Sequence, residues 1–124
     1  MASQTTFIKQ GSIVEHIAAV AITRGDIVVS GNLVGISQND AAIGEIASLA
    51  TEGIFSVPKD NSDITAIGTA LYWDADGDPV GGTAGTGGVS TGADSGANKR
   101  IGWNLETAGT GIGTVKIKLD PVGG

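Results

Sequence analysis

The last apolar run of the chain reads Thr114-Val115-Lys116-Ile117-Lys118-Leu119-Asp120. Apolar and polar residues alternate strictly in it, and this period of two is typical of a β-strand with one face in a core and the other toward solvent or a partner. The alternation therefore predicts a closing strand at the end of the chain.

Three further short segments hold four of the five aromatic residues, each beside bulky aliphatic side chains. They are Glu52–Lys59 (EGIFSVPK), Ala70–Gly77 (ALYWDADG) and Ile101–Glu106 (IGWNLE). The intervening residues are largely Gly, Ala, Ser, Thr and Asp, which favour turns and loops. The pattern predicts an all-β protein: a small, single-domain antiparallel β-barrel or sandwich over residues 1–124, with long glycine-rich loops.

The residues expected in the core are apolar and lie in the predicted strands. They are Leu49, Phe55, Val57, Leu71, Trp73, Trp103, Val115, Ile117 and Leu119. Leu49, Phe55 and Val57 share one face at a period of two, so residues 45–57 are interpreted as one bent strand with a bulge at Gly53, ended by Pro58.

The first part of the chain predicts four short strands. Residues 5–9 and 12–17 are rich in β-branched side chains and are separated by glycine. Residues 26–30 and 33–36 flank Gly31-Asn32, which suits a hairpin with a type II′ turn. This hairpin is apolar without alternation, so we expect both of its faces to be covered.

Residues 81–98 predict a long loop. The segment consists almost entirely of Gly, Ala, Thr and Ser, with a single valine. Such a composition has little to bury, so an exposed loop is expected.

Composition limits the function. Seven basic and thirteen acidic residues give a net charge of −6, the wrong sign for neutralising phosphates, so nucleic-acid binding is not expected. The absence of cysteine excludes disulfides, zinc-thiolate sites and thiol nucleophiles. Five aromatic residues and 21 glycines indicate a thin core with a high conformational entropy cost, which favours self-association or docking on a larger surface.

No group of residues predicts catalysis or a cofactor. His16 is the only histidine and has no nucleophile motif to serve. Asp74, Asp76 and Asp78 resemble the start of a calcium loop, but glycine and glutamate are not at the required positions, so they are weak metal candidates and no metal is expected. The glycine-rich stretches 82–88 and 109–113 lack the Gly-Lys-Ser/Thr ending of a phosphate-binding loop. No small-molecule substrate is expected either.

The aromatic residues Tyr72, Trp73 and Trp103 could form a base-stacking platform. The sequence shows no basic residues expected beside them, so core or subunit contacts are the favoured interpretation.

The opening residues, Met-Ala-Ser-Gln-Thr-Thr, carry no basic region followed by a long apolar run. The apolar run at residues 17–22 is about a third of the length of a membrane span. We therefore expect no membrane association, and synthesis in the cytoplasm of the producing cell.

The order of the four apolar segments resembles that of the small tailed-phage proteins of the DUF2190 family, which are capsid cement or decoration proteins. Phe7-Ile8-Lys9-Gln10-Gly11 and Gly25-Asp26-Ile27-Val28 are also similar to that family. The resemblance spans nearly the whole chain, although residues 81–98 are longer and richer in glycine than the family pattern.

The resemblance implies a virion protein that binds the outside of the phage head at seams between major capsid protein subunits and strengthens the shell. An N-terminal arm (residues 1–6, extending to Lys9) and the polar edge of the last strand are hypothesised contacts, because an unpaired strand edge can add a strand from a partner. The contact residues are then Thr5, Phe7, Lys9, Lys116 and Lys118. A homotrimer is favoured, with a dimer second.

Two other functions stay open. One is a head-displayed adhesion module that uses residues 81–98 to bind a host surface. The other is a nucleic-acid-binding recombination accessory protein, a label that the family has sometimes carried and that the acidic charge does not favour.

Overall fold

The structure is a computed structural model, and it describes residues 12–64, 66–94 and 97–120. Within these residues the chain forms nine β-strands: β1 Ile13–Ile17, β2 Ile27–Ser30, β3 Leu33–Ser37, β4 Ile46–Ala50, β5 Gly53–Pro58, β6 Ala70–Asp74, β7 Gly88–Ser90, β8 Lys99–Asn104 and β9 Thr114–Leu119. The all-β prediction is confirmed. The predicted strand at residues 5–9 and the arm at 1–6 lie outside the described residues.

The strands form two antiparallel sheets. The four-stranded sheet has the order β1-β4-β3-β2, and the five-stranded sheet has the order β5-β9-β8-β6-β7. Val34 and Ile36 of β3 pack against the inner face of the five-stranded sheet and join the two sheets in one apolar cluster. This arrangement agrees with the predicted small barrel or sandwich.

Strand β9 follows the predicted alternation. Val115, Ile117 and Leu119 are fully buried, whereas Lys116 and Lys118 are exposed. The strand lies between β5 and β8, so it is not a sheet edge. The hypothesis that a partner adds a strand to β9 is therefore wrong, because both of its hydrogen-bonding edges already face strands of this chain.

Residues 45–57 form two strands rather than one bent strand. Strand β4 belongs to the four-stranded sheet and β5 to the five-stranded sheet, and the chain passes between them at residues 51–52. Gly53 has a φ of 130°, a conformation that favours glycine, so its role is to allow this crossing rather than to form a bulge. In consequence Leu49 and Val57 belong to different apolar clusters.

The hairpin of β2 and β3 forms as predicted, with Ser30 opposite Leu33. Gly31 has a φ of 63°, which fits the first central position of a type II′ turn. Coverage of both faces is found for β3, whose last four residues are all buried, but β2 is only partly covered because it is the edge strand of its sheet.

Most of the residues expected in the core are buried. Phe55 is half-buried against the main cluster, and Trp103 is half-buried on the outward face of its sheet. The expectation of a core position for Trp103 is therefore wrong, because its strand position is directly opposite the exposed Lys118. The buried ones are Leu49, Val57, Leu71, Trp73, Val115, Ile117 and Leu119.

Residues 81–98 are not an exposed loop throughout. Strand β7 pairs with β6, and Val89 is fully buried opposite Trp73. Gly87, with a φ of 109°, lies so close to the Trp73 ring that an added Cβ would fall 2.5 Å from Cζ2. Gly87 and Gly88, two of the small residues that suggested a loop, let the backbone approach the core closely.

The fully buried Lys59 forms an isolated parallel bridge to Val89 of this segment and also bonds to other loops. Its N–H donates to the carbonyl of Gly113, and its own carbonyl accepts from the N–H of Val80. Its Nζ donates to the carbonyl of Asp60 at 2.8 Å. Three loops therefore meet at a residue that the sequence places just after a predicted strand.

Candidate functional site

The outward face of the five-stranded sheet carries a row of side chains that crosses four strands. Ile54 of β5 is opposite Lys118 of β9, Lys118 is opposite Trp103 of β8, and Trp103 is opposite Ala70 of β6. Neighbouring strands are about 4.8 Å apart, so the row spans about 14 Å. It places an exposed isoleucine, a lysine and a tryptophan side by side.

Arg100 extends this row along β8. Its guanidinium carbon lies 4.9 Å from the centre of the Trp103 ring, which is a cation–π contact. Tyr72 of β6 is opposite Arg100 in the register. The outward face therefore carries two aromatic rings beside cationic groups.

A β-bulge brings Arg100 and Trp103 to the same face. Residues three apart on a regular strand point to opposite faces. Between Leu71 and Tyr72 the register shifts, so that Ile101 is the extra residue on β8. Because of this extra residue, Trp103 faces outward with Arg100 while Ile101 and Gly102 are buried.

Trp103 is also fixed by a hydrogen bond to the end of β9. Its indole Nε1–H donates to Oδ2 of Asp120 at 3.2 Å. With Arg100 over the ring and Asp120 on its nitrogen, the indole is held from two sides. We call the set Ile54, Tyr72, Arg100, Trp103, Lys116 and Lys118 the cationic-aromatic face.

The charge of this face differs from that of the whole chain. Three of the seven basic residues lie on it, although the net charge is −6. The strands β5, β8 and β9 contain no acidic residue. Acidic groups are found at the margin, where Asp120 follows β9, Asp74 ends β6 and Oε1 of Glu106 accepts from the N–H of Lys116 at 3.0 Å. The face is thus locally cationic on an acidic protein.

Two of the five predicted contact residues lie on the cationic-aromatic face. Lys116 and Lys118 lie on this face and are exposed. Thr5, Phe7 and Lys9 lie outside the described residues. The sequence reasoning missed Arg100 and Trp103 as surface neighbours, and its premise that basic residues would be absent beside the aromatic ones is wrong, since Arg100 contacts Trp103. The only available signal was the glycine in Ile-Gly-Trp, which marks a bulge in many strands.

The aspartates after β6 have roles within their turn. Oδ1 of Asp74 accepts from the N–H of Asp76 at 3.3 Å, and Oδ1 of Asp78 accepts from the N–H of Gly85 at 2.8 Å. In the part of the chain that the structure describes, no three His, Cys, Asp or Glu side chains are grouped as metal ligands would be. The weak metal candidates Asp74, Asp76 and Asp78 therefore do not form such a group.

A second exposed surface lies on the edge strand β1. Ile17 of β1 is directly opposite Ile46 of β4, and these side chains are 66% and 51% exposed. Ile13, at the other end of β1, is also exposed. His16 is half-buried and belongs to the same strand. Among the described strands β1 lies at the end of its sheet, and exposed apolar side chains in such a position are typical of contacts between proteins.

These two surfaces suit binding rather than catalysis, and one comparison with known proteins supports this view. A profile of the phage cement protein family matches residues 8–119. The chain belongs to the phage cement protein family. The match gives no support to the narrower name DUF2190.

Membership in the phage cement family places the protein on the virion and implies that it binds the phage capsid. Cement proteins are structural, which speaks against an enzyme. Comparison with curated proteins finds no match, and comparison with solved structures finds none either. The residues that the structure describes include no helix with the length and apolar character needed to span a membrane.

Proposed function

We propose that this protein binds the outside of the assembled phage head at the seams between major capsid protein subunits and stabilises the shell. The observation that carries the proposal is the family match over residues 8–119. The all-β fold with exposed, non-catalytic faces supports it. In this proposal the whole of residues 1–124 acts as one decoration domain, made in the host cytoplasm before it joins the virion.

The stabilisation follows from mass action. A protein that binds the assembled shell but not its separated subunits shifts the equilibrium toward the shell. Each copy needs to add only a modest interface, because many copies act on one head. No catalytic group is required for this function.

We propose a homotrimer as the form that binds, with a dimer as the second possibility. The exposed isoleucines on and beside β1 support self-association, since they would be covered by another copy. The thin core predicted from the sequence has the same consequence. The arm that includes Thr5, Phe7 and Lys9 stays part of the proposal as a further capsid contact.

The test is co-sedimentation of the purified protein with expanded heads assembled without it. We expect saturable binding, with a fixed number of copies per head, and no binding to linear duplex DNA at the same salt concentration. A protein that ignores the heads at micromolar concentration would contradict the proposal. Binding to DNA but not to heads would favour the recombination accessory function instead.

The adhesion alternative receives less support from the fold than from the sequence. It relied on residues 81–98 as an exposed loop, and the middle of that segment is the buried strand β7. Binding of the free protein to host cells, at a site blocked by substitutions in residues 81–86, would revive it.

A further inference from the structure

We infer that the cationic-aromatic face is the surface that docks on the shell, and that its partner is an acidic strip of the major capsid protein with apolar residues interspersed. This inference rests on the proposed function, because it names the contact through which a cement protein would bind. It concerns the outward face of β5, β9, β8 and β6, not the edge of β9.

The geometry of the face is that of an interface centre. Trp, Tyr and Arg are enriched where protein interfaces bind most strongly, and Trp103, Tyr72 and Arg100 are neighbours here. The sheet holds them on a rigid surface, and Asp120 fixes the indole of Trp103. Little side-chain freedom is lost when such a surface binds, which favours affinity.

The charge of the face identifies the partner. Lys116 and Lys118 are exposed on β9, and Arg100 stacks on Trp103 rather than on a carboxylate. An acidic partner surface would complement these cations, and complementary charge selects the docking orientation.

A protein surface fits this face better than a nucleic acid. The net charge of −6 would slow the approach of DNA, in which every phosphate is charged. The 66% exposed side chain of Ile54, next to Lys118, needs an apolar partner group that a phosphate backbone does not offer.

Charge reversal at one position tests the charged part of the inference. We expect Lys118→Glu to weaken binding to heads at least tenfold and to reduce the dependence of that binding on sodium chloride. The matched control is Arg24→Glu, which makes the same charge change at an exposed position off this face. We expect less than a twofold effect from the control.

A second pair tests the apolar part. Ile54→Asp places a carboxylate on the face, while Ile67→Asp does so at an equally exposed position elsewhere, the two isoleucines being 66% and 68% exposed. We expect only Ile54→Asp to weaken binding. Thermal unfolding of all four variants checks that each is folded.

Lysine acetylation read by mass spectrometry tests the face without any substitution. Lys116 and Lys118 should lose reactivity when the protein is bound to heads. Lys99 is the internal control, because it is opposite the buried Trp73 and so on the other side of the sheet. Equal protection of all three lysines, or of none, would contradict the docking face.

The outcomes separate this inference from the proposed function. If the unmodified protein binds heads and Lys118→Glu and Arg24→Glu behave alike, the docking face is wrong and the cement function stands. If the unmodified protein does not bind heads, both fail. If it binds duplex DNA and Lys118→Glu abolishes that binding, the face serves nucleic acid and the inference is overturned.

Discussion

Among the described glycines, Gly102 has the least room for a side chain. A Cβ on Gly102 would collide with the carbonyl oxygen of Lys118 on the neighbouring strand. The backbone of Gly102 and the carbonyl of Lys118 are both held by the pairing of β8 with β9, so neither can move aside without disrupting the sheet. The glycine of Ile-Gly-Trp is therefore required by the close approach of two strands beneath the cationic-aromatic face.

We expect Gly102→Ala to lower the free energy of unfolding by about 3 kcal/mol, because overpacking against a fixed backbone forces the strands apart. Urea unfolding measures the effect. Gly92→Ala is the control, since its nearest neighbour would be 4.0 Å away and its backbone does not require glycine. A Gly102 variant as stable as the Gly92 variant would contradict the close pairing of β8 with β9.

Asn104 is a buried polar residue that closes two loops. Its Oδ1 accepts from the N–H of Thr69 at 2.6 Å, and its Nδ2 donates to the carbonyl of Glu106 at 2.9 Å. The side chain is fully buried, so these backbone groups have little access to water in its place. Asn104 thus fixes the ends of β6 and β8, next to Trp103.

Removing these bonds should be costly. We expect Asn104→Ala to lower the free energy of unfolding by about 1–3 kcal/mol for each backbone group left unpaired. Asn32→Ala, at an exposed turn position, should change stability by less than about 0.5 kcal/mol. Chemical denaturation measures the free energy of unfolding of both variants. Equal values would contradict the structural role assigned to Asn104.

For single residues, the sequence predicted burial well where alternation was strict. Val115, Ile117 and Leu119 are buried because nothing interrupts the period of two in β9. Trp103 could not be placed, because one extra residue at Ile101 reverses the faces beyond it. A bulge depends on the partner strand, which a local pattern does not reveal.

Strand β7 forms in a segment whose composition predicted an exposed loop. Val89 is the one valine of residues 81–98, and it is fully buried opposite Trp73. Lys59 forms an isolated bridge to the same residue, and the N–H of Asp60 donates to its carbonyl at 3.1 Å. The glycine-rich segment is therefore a structural part of the five-stranded sheet.

We expect Val89→Ala to lower the free energy of unfolding by about 2 kcal/mol, through lost apolar burial and a small cavity. Val20→Ala is the control, because that side chain is 68% exposed. Limited proteolysis adds a local measurement, since the Val89 variant should be cut faster within residues 81–92. If the two variants are equally stable, Val89 does not contribute to the core, and the segment is the exposed loop predicted from its composition.

For the strands other than β7, the sequence predicted that a strand would form but not which strands it would pair with. Residues 46–50 and 53–58 are extended as the sequence predicts, but they belong to different sheets. Local pattern shows which residues favour burial, whereas the sheet that receives them is decided by contacts distant in sequence. For the same reason, the alternation in β9 predicted its buried face but could not show that the strand lies between β5 and β8, so the separate hypothesis of an unpaired edge was wrong.

At the scale of the whole molecule, the described residues present two faces with different chemistry. The five-stranded sheet displays cationic and aromatic groups, and the edge strand β1 displays isoleucines. A protein that must hold both a shell and its own copies needs two such surfaces. If both proposals hold, the first face contacts the shell and the second contacts other copies.

The assembly can be tested in solution. Light scattering should give the mass of three chains of 12.3 kDa, about 37 kDa, if the homotrimer forms without the head. Ile17→Asp should shift that mass toward the monomer, because it places a charge on the apolar edge beside Ile46. Arg24→Glu should leave the mass unchanged. A monomer at all concentrations would limit association to the head surface.

Function was predictable for the whole chain only through the order of four segments. That order supported a phage cement protein, and the family match over residues 8–119 agrees. The docking face was not predictable, because Ile54, Lys118, Trp103 and Ala70 are scattered between positions 54 and 118 and meet only in the folded sheet.

Stabilisation of the shell is tested most directly by the release of DNA from filled heads assembled without this protein, measured by dye fluorescence during heating. With saturating protein, we expect the release temperature to rise, and to rise in proportion to the number of copies bound. Heads that bind the protein and still release DNA at the original temperature would contradict a stabilising role.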